Sequence, residues 1–233
     1  RIVGEERAED AWCRPFPFCL ASPLQEEVQT LGNPKDWWAE WKWDGIRCQL
    51  LSEEGSGMLW TRGDESVGES FPELLEMIPY LPKGLVLDGE ILAWGADGLR
   101  SFNRLQKRLG RKQPGPSLLK KEPVQFMAYD LLKLEGKDLR ELPFEQRRKS
   151  LENLINSLPV GFPLRISPRL TAESWEDLAE ARLEARDRGV EGLMLKRMDS
   201  VYSSGRVRGD WYKWKVDPFV ADMVVVGAQL GHG

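Results

Sequence analysis

Four short stretches carry charged side chains where an interior strand would ordinarily be apolar. In WAEWKWDGIR, residues 38–47, Lys42 lies between Trp41 and Trp43 and is followed at once by Asp44 and Gly45. Alternation is the period of a β-strand, so Glu40, Lys42 and Asp44 are expected on one face and the two tryptophans on the other. In WYKWK, Lys213 and Lys215 share a face with Trp211; in GLVLDGEILAW, Asp88 and Glu90 share a face; in VEGLMLKR, Glu191 enters a run containing Leu193, Met194 and Leu195. A half-exposed strand explains one such stretch. Four together point to a ligand with several phosphates and a divalent ion, because buried charge needs a partner and magnesium combines carboxylates with phosphate oxygens. Glu90 and Glu191, with Asp44 as a further candidate, could supply those carboxylates.

Lys42 has the makings of a nucleophile. With an ordinary pKa near 10.4, only about one lysine in a thousand is neutral at neutral pH, a handicap of roughly 4 kcal/mol for attack by the amine. Desolvation beside tryptophans and the nearness of other cations both lower that barrier. Lys42 gains both if the strand of Lys213 and Lys215 is its neighbour.

These residues need a scaffold, and the chain can build one. Its 233 residues, 41% hydrophobic with ten tryptophans, are long enough to bury roughly 70% of the unfolded surface, in one large domain or two modest ones. Strands are predicted over 37–51, 57–62, 85–94, 124–132, 191–197, 211–216 and 220–228. Ser70 to Glu73 has capping-box spacing and predicts a helix ending before Pro79. Pro143 suits the first turn of another, with an apolar stripe of Phe144, Leu151, Leu154, Ile155 and Leu158. A third is expected from near Ser174 to Gly189, and a loop over 111–117, where two prolines and a glycine fall together. Strands and helices without a regular βαβ rhythm argue for an α+β fold.

A net charge of −4 excludes a uniformly basic surface, so polyanion contact must be local. Cys13, Cys19 and Cys48 form no C-x-x-C pair, which argues against a disulfide framework or zinc site and fits a reducing cytoplasm. There is no signal-peptide pattern, and FVADMVVVGAQL is too short to span a membrane and contains Asp222. The first residue is Arg1 and a strand-like segment runs into Gly231-His232-Gly233, so a domain excised from a longer chain is expected.

Lys42-Trp43-Asp44-Gly45-Ile46-Arg47 resembles the K-x-D-G-x-R signature of the covalent nucleotidyltransferases: ATP-dependent DNA ligases, RNA ligases and mRNA capping enzymes. The stretches TRGDE with Arg62, LDGEILAW with Glu90, FMAYDLL with Tyr129, EGLMLKR with Glu191, and WYKWK with Lys213 and Lys215 follow in the family's order, and LASPL at 20–24 resembles the lead-in to the lysine motif. EGLM and the tryptophan before the last two lysines are most similar to DNA ligases, and GDWYKWKVDP and VVVGAQLGHG to their bacterial ATP-dependent branch. The resemblance implies a ligase-type nucleotidyltransferase fold of antiparallel sheets flanked by helices over 1–216, with 217–233 the start of a truncated OB-fold. It also implies that Lys42 attacks the α-phosphate of ATP and holds AMP as a phosphoramidate while Lys213 and Lys215 neutralise charge on that phosphate. Glu90 and Glu191 would serve a magnesium or manganese ion and the ribose. Tyr129 would stack on adenine, Glu40 would sit near its exocyclic amine, Asp44 and Gly45 would complete the nucleotide site, and Arg47 and Arg62 would contact ribose, phosphate or the nick. AMP would then pass to the 5′-phosphate of nicked double-stranded DNA for strand sealing.

From Arg100 to Lys121 there are eight basic residues and no acid, leaving −12 on the rest of a chain whose total is −4. Arg104, Lys107, Arg108, Arg111 and Lys112 are therefore expected to touch the DNA backbone without reading sequence. Further expectations are a monomer in the cytoplasm at the nucleoid, with no membrane contact, completed by the missing OB-fold domain and an N-terminal DNA-binding domain. The alternatives are an RNA ligase or capping-type enzyme, and a non-catalytic nick-binding module.

Overall fold

A computed structural model describes residues 14–217; the strand expected over 220–228, Cys13 and all but the first residue of the expected OB-fold segment lie outside them. The strands are β1 (Ser22–Pro23), β2 (Trp37–Trp41), β3 (Ile46–Glu53), β4 (Ser56–Thr61), β5 (Leu85–Gly95), β6 (Gly98–Leu99), β7 (Val124–Leu134), β8 (Lys137–Asp138), β9 (Leu164–Ile166), β10 (Arg169–Leu170), β11 (Gly192–Arg197) and β12 (Trp211–Lys215). The α-helices are α1 (Pro72–Leu75), α2 (Phe102–Gln106), α3 (Pro116–Lys121), α4 (Phe144–Ser157) and α5 (Trp175–Leu183). One sheet runs β1-β12-β11-β2-β10; the other runs β4-β3-β5-β7-β8, with β6 on β5 and β9 on β7. Apart from the parallel pairs β1–β12 and β7–β9 the ladders are antiparallel, so the α+β expectation holds.

The pleat sorts the smaller sheet's side chains between two apolar clusters. Trp37, Ala39 and Trp41 of β2 pack with Leu193 and Leu195 of β11 and with Trp175 and Leu178 of α5. Trp38 of β2 and Trp211 of β12 face the other way, packing with Leu51, Val86 and Leu132 from the larger sheet. Glu40, Met194, Lys196, Lys213 and Lys215 lie in step with these on the inter-sheet face. A third cluster fills the far side of the larger sheet, where α4 contributes Leu151 and Leu154.

The strand expected over 37–51 is two strands in two different sheets. β2 stops at Trp41, and Lys42 to Gly45 cross over before β3 begins at Ile46. Gly45 marks the crossing, because a Cβ there would stand 2.4 Å from the Ile91 carbonyl oxygen and 2.8 Å from Glu90 Cγ. The capping box at Ser70 does not form: Phe71 takes the cap position, and α1 is one turn bounded by 3₁₀ turns. Ser70 Oγ donates instead to the Arg111 carbonyl at 3.1 Å, and Glu73 pairs with Arg108 at 2.8 Å. The capping box of α5 does form, between Ser174 and Asp177, but the helix ends at Leu183 and only irregular turns continue to Gly189. Residues 107–115 form the basic segment's loop, and Pro116 already opens α3.

Arg108 corrects a sequence expectation. Its guanidinium is fully buried, donates to the Ser70 and Glu122 carbonyls and to both oxygens of Glu73, and lies over the Phe71 ring at 5.2 Å. Such an arginine cannot reach DNA; it ties the basic segment to the core. Replacing it leaves a carboxylate and two buried carbonyls without their donor, so Arg108→Ala should destabilise the fold by roughly 3–5 kcal/mol. Arg111→Ala, at an exposed position, should stay within about 0.5 kcal/mol. Urea unfolding of the two variants checks the contrast.

Candidate active site

A cleft of about 570 Å³ opens between the sheets. All eleven residues assigned above to catalysis or nucleotide binding line it: Glu40, Lys42, Asp44, Gly45, Arg47, Arg62, Glu90, Tyr129, Glu191, Lys213 and Lys215. Met194, Lys196, Arg206 and Trp211 line it too. Met194, Lys196 and Trp211 read as core positions of their strands and Arg206 as a loop residue, and only the charge of Lys196 in an apolar run hints otherwise.

Lys42 sits just past the end of β2, held by backbone hydrogen bonds in both directions: its N–H donates to Gly192 and its carbonyl accepts from Glu191, each at 2.8 Å. The strand carrying Lys213 and Lys215 is not its neighbour, because β11 intervenes. What stands between the lysines is Glu191, whose Oε2 pairs with Lys42 Nζ and lies 3.0 Å from Lys215 Nζ. Lys213 is one pleat further along β12, opposite Met194.

The carboxyl groups of this site are pushed apart. Burial raises Glu90 to about 8, with Arg47 and Lys42 pulling the other way. Burial also acts to raise Glu191, but the hydrogen bonds and charges of Lys42 and Lys215 prevail and hold it below the usual carboxylate range. Burial and then Glu191 raise Asp44. Burial lowers Lys213, reinforced by Lys215, Arg206 and Lys42. One carboxyl is thus protonated and another ionised at the same pH.

Arg47 is spoken for. Its guanidinium donates to both oxygens of Asp88, at 3.2 and 2.7 Å, and to the Cys19 carbonyl at 2.6 Å, while Tyr202 Oη donates to the same carboxylate at 2.7 Å. Tyr129 is the extra residue of a β-bulge: Asp88 pairs with Asp130 and Gly89 with Ala128, leaving Tyr129 between them. Its hydroxyl lies 3.4 Å from Glu90 Oε2 and its ring meets the Lys196 ammonium at 4.4 Å.

The other basic residues lie away from the cleft. Arg104 and Lys107 share Glu122 at 2.9 and 3.3 Å, Lys112 lies 3.9 Å from Glu69, and Arg111, Lys112 and Lys121 border a separate groove of about 480 Å³. Outside both sites, Arg182 and Arg186 of the α5 region donate to the Lys215 and Asp217 carbonyls, and the Arg182 guanidinium covers the Trp214 ring at 4.8 Å.

A family model described as ATP dependent DNA ligase domain matches residues 19–215. The chain belongs to the ATP-dependent DNA ligase family. It is 31% identical over 239 residues to a probable DNA ligase of Koribacter versatilis, covering 94% of this chain and 42% of that protein. It is 34% identical to a DNA ligase of Natronomonas pharaonis, over all of this chain and 43% of the relative. This ligase chain thus spans less than half the length of those curated relatives. Among solved structures, a mycobacterial DNA ligase D complexed with ATP and MES is 30% identical with a TM-score of 0.66, over 85% of this chain and 60% of that one. The ligase domain of LigD from M. tuberculosis, also 30% identical, superposes with a TM-score of 0.67 over the same shares. These matches identify the fold as that of a ligase adenylation domain and favour it over the RNA ligase and capping-type alternative.

The raised carboxyl of Glu90 makes the ligase domain's stability depend on pH. Between its ordinary 4.5 and about 8, the unfolded chain ionises Glu90 while the folded chain keeps the proton. The folded state then binds more protons, so stability falls as pH rises through that window. In metal-free buffer, the urea midpoint of the wild type should drop relative to that of Glu90→Gln between about pH 5 and 8.

Proposed function

We propose that the cleft binds ATP with its base beside Tyr129 and Glu40 and its α-phosphate against Lys42. The carrying observation is the Lys42–Glu191–Lys215 chain, in which an amine and a second cation meet on one carboxylate oxygen, with Lys213 lining the same cleft. The Lys42 nitrogen attacks the α-phosphorus, the bond to the β-phosphate oxygen breaks, and pyrophosphate leaves, giving a lysyl-AMP. Glu191 is the acceptor nearest the amine's proton. Lys213 and Lys215 stabilise charge on the phosphate, and Arg62 and Arg206 add positive charge at the rim.

A divalent ion fits this donor set on one condition. Among the described residues no three metal-ligating side chains come together, so magnesium or manganese would take one or two carboxylates, Glu191 and Glu90, and fill its shell with phosphate oxygens and water. When bound it would neutralise phosphate charge. Glu191, kept ionised by Lys42 and Lys215, has the charge state that a cation would require.

In the whole protein, AMP passes to the 5′-phosphate of a nick and the 3′-hydroxyl displaces it to seal the strand. Residues 1–216 form the adenylation domain and 217–233 begin an OB-fold that completes the enzyme. Arg111, Lys112 and Lys121, with Arg104 and Lys107 beside them, contact the DNA backbone.

Two measurements test this. Incubation with magnesium and ATP labelled at the α-phosphate should leave acid-labile label on the wild type and none on Lys42→Ala; no label even with the OB-fold domain restored would overturn the reading. Substituting Arg111, Lys112 and Lys121 together by Ala should flatten the salt dependence of nicked-DNA binding, by up to about 0.9 in the log–log slope for each phosphate that the protein no longer neutralises.

A further inference from the structure

Lys215 is the last residue of β12, and on one edge the strand loses its partner before reaching it. β1 pairs with Tyr212 and Lys213 only, and the Leu24 N–H closes that edge by donating to the Lys213 carbonyl at 3.1 Å. Backbone groups alternate between the two edges of a strand. The Val216 N–H turns to the other side and donates to the Glu191 carbonyl at 3.1 Å, so the carbonyls of Lys215 and Asp217 face the unpaired edge. Side chains of the α5 region take them: Arg182 donates to the Lys215 carbonyl at 2.7 Å, and Arg186 to that of Asp217. Four residues along a helical turn rise about 6 Å and two along a strand about 6.6 Å, so arginines at this spacing match successive outward carbonyls.

The main chain at Lys215 is thereby pinned from both edges. On the β11 side, Gly192 lies so close that a Cβ there would stand 2.3 Å from the Trp214 carbonyl oxygen and 2.7 Å from Lys215 Cα. On the other, the Arg182 guanidinium covers the Trp214 ring at 4.8 Å while donating to the next residue, so the arginine is itself held. We propose that Arg182 is a positioning residue for the cleft, acting from the opposite face of the smaller sheet. It fixes the root of Lys215, whose Nζ lies 3.0 Å from Glu191 Oε2. An unpaired strand end frays, and a lysine rooted in one would drift from the phosphate charge that it is there to offset. The inference rests on the role proposed for Lys215 in forming lysyl-AMP.

A double-mutant cycle separates this from an arginine that only adds stability or positive charge. Single-turnover formation of lysyl-AMP at saturating ATP, in the whole protein, is the readout. Arg182→Ala should slow it by roughly tenfold or more. In a Lys215→Ala background the same change should cost no more than about twofold further, because the lysine it positions is gone. Arg182→Lys keeps a donor for the carbonyl without the flat guanidinium and should lose less. Should Arg182→Ala not fold, Arg182→Lys carries the same cycle, and its smaller loss must likewise vanish without Lys215. Arg188 is the control: it pairs with Glu184 and covers Trp41 at 5.0 Å, and Arg188→Ala should stay within about twofold of the wild type.

Equal losses in both backgrounds, or none in either, would overturn the inference and leave the role of Lys215 standing. So would an Arg188→Ala loss equal to that of Arg182→Ala, which is what removing positive charge alone would give. A Lys215→Ala protein that forms lysyl-AMP at the wild-type rate would overturn the role of Lys215, and this inference with it.

Discussion

The space between the two sheets must hold charge without water, and most of the architecture answers to that requirement. Glu40 meets Lys196, Asp88 meets Arg47, and Asp130 meets Arg147, each pair buried or nearly so. An ion removed from water is tolerated only with a partner in good geometry, and losing one partner costs roughly 3–5 kcal/mol. The residues facing the cleft are therefore mutually dependent. Asp88 also accepts from Tyr202, and Arg147 donates to the Ser200 carbonyl, so the segment after β11 is drawn into the same web. A wall built this way holds its polar groups in place before a ligand arrives, the preorganisation that electrostatic stabilisation of phosphoryl transfer requires.

Lys42 stands apart from that wall. It occupies the crossing between sheets, where backbone bonds to Glu191 and Gly192 fix the main chain and the side chain is held in the cleft by its ion pair with Glu191. The nucleophilic role proposed for Lys42 calls for such a fixed origin. The tryptophans on either side of it in sequence belong mainly to the packing of the smaller sheet: Trp41 lies in the cluster with α5, and Trp43 packs against that cluster and donates to Ser167 Oγ at 3.0 Å.

Period-2 patterning makes much of this visible in the sequence. Lys213 and Lys215 share a face, and the strands near 85, 124, 192 and 211 lie where alternation and apolar content put them. The local signals fail where distant residues claim the same side chains. Ser70 and Glu73 have the spacing of a cap, but Arg108 and the Arg111 carbonyl use them from across the chain. Arg108 itself reads as part of a solvated basic run, and nothing in its neighbours announces that it is buried. The break between β2 and β3 is equally hidden: WAEWKWDGIR keeps strand alternation through the crossing, and only the close approach of Gly45 to Ile91 reveals the turn. Lys196 gives little sign of its burial, since a lysine near a strand end ordinarily reaches water.

The bulge at Tyr129 places a different kind of demand on the chain. Because β7 has one residue more than β5 at this level, Tyr129 and Asp130 stand where a regular ladder would admit only one of them. A second register shift, between Val86 and Leu87 of β5, lies close by; removing the residue in excess would close a bulge and withdraw a side chain from the wall, and removing one in the regular part would exchange the faces of what lies between. A side-chain substitution would leave that arithmetic intact. The segment should therefore accept changes of residue more readily than changes of length, and insertions or deletions compatible with the cleft should fall in the surface turns and not between Val124 and Leu134.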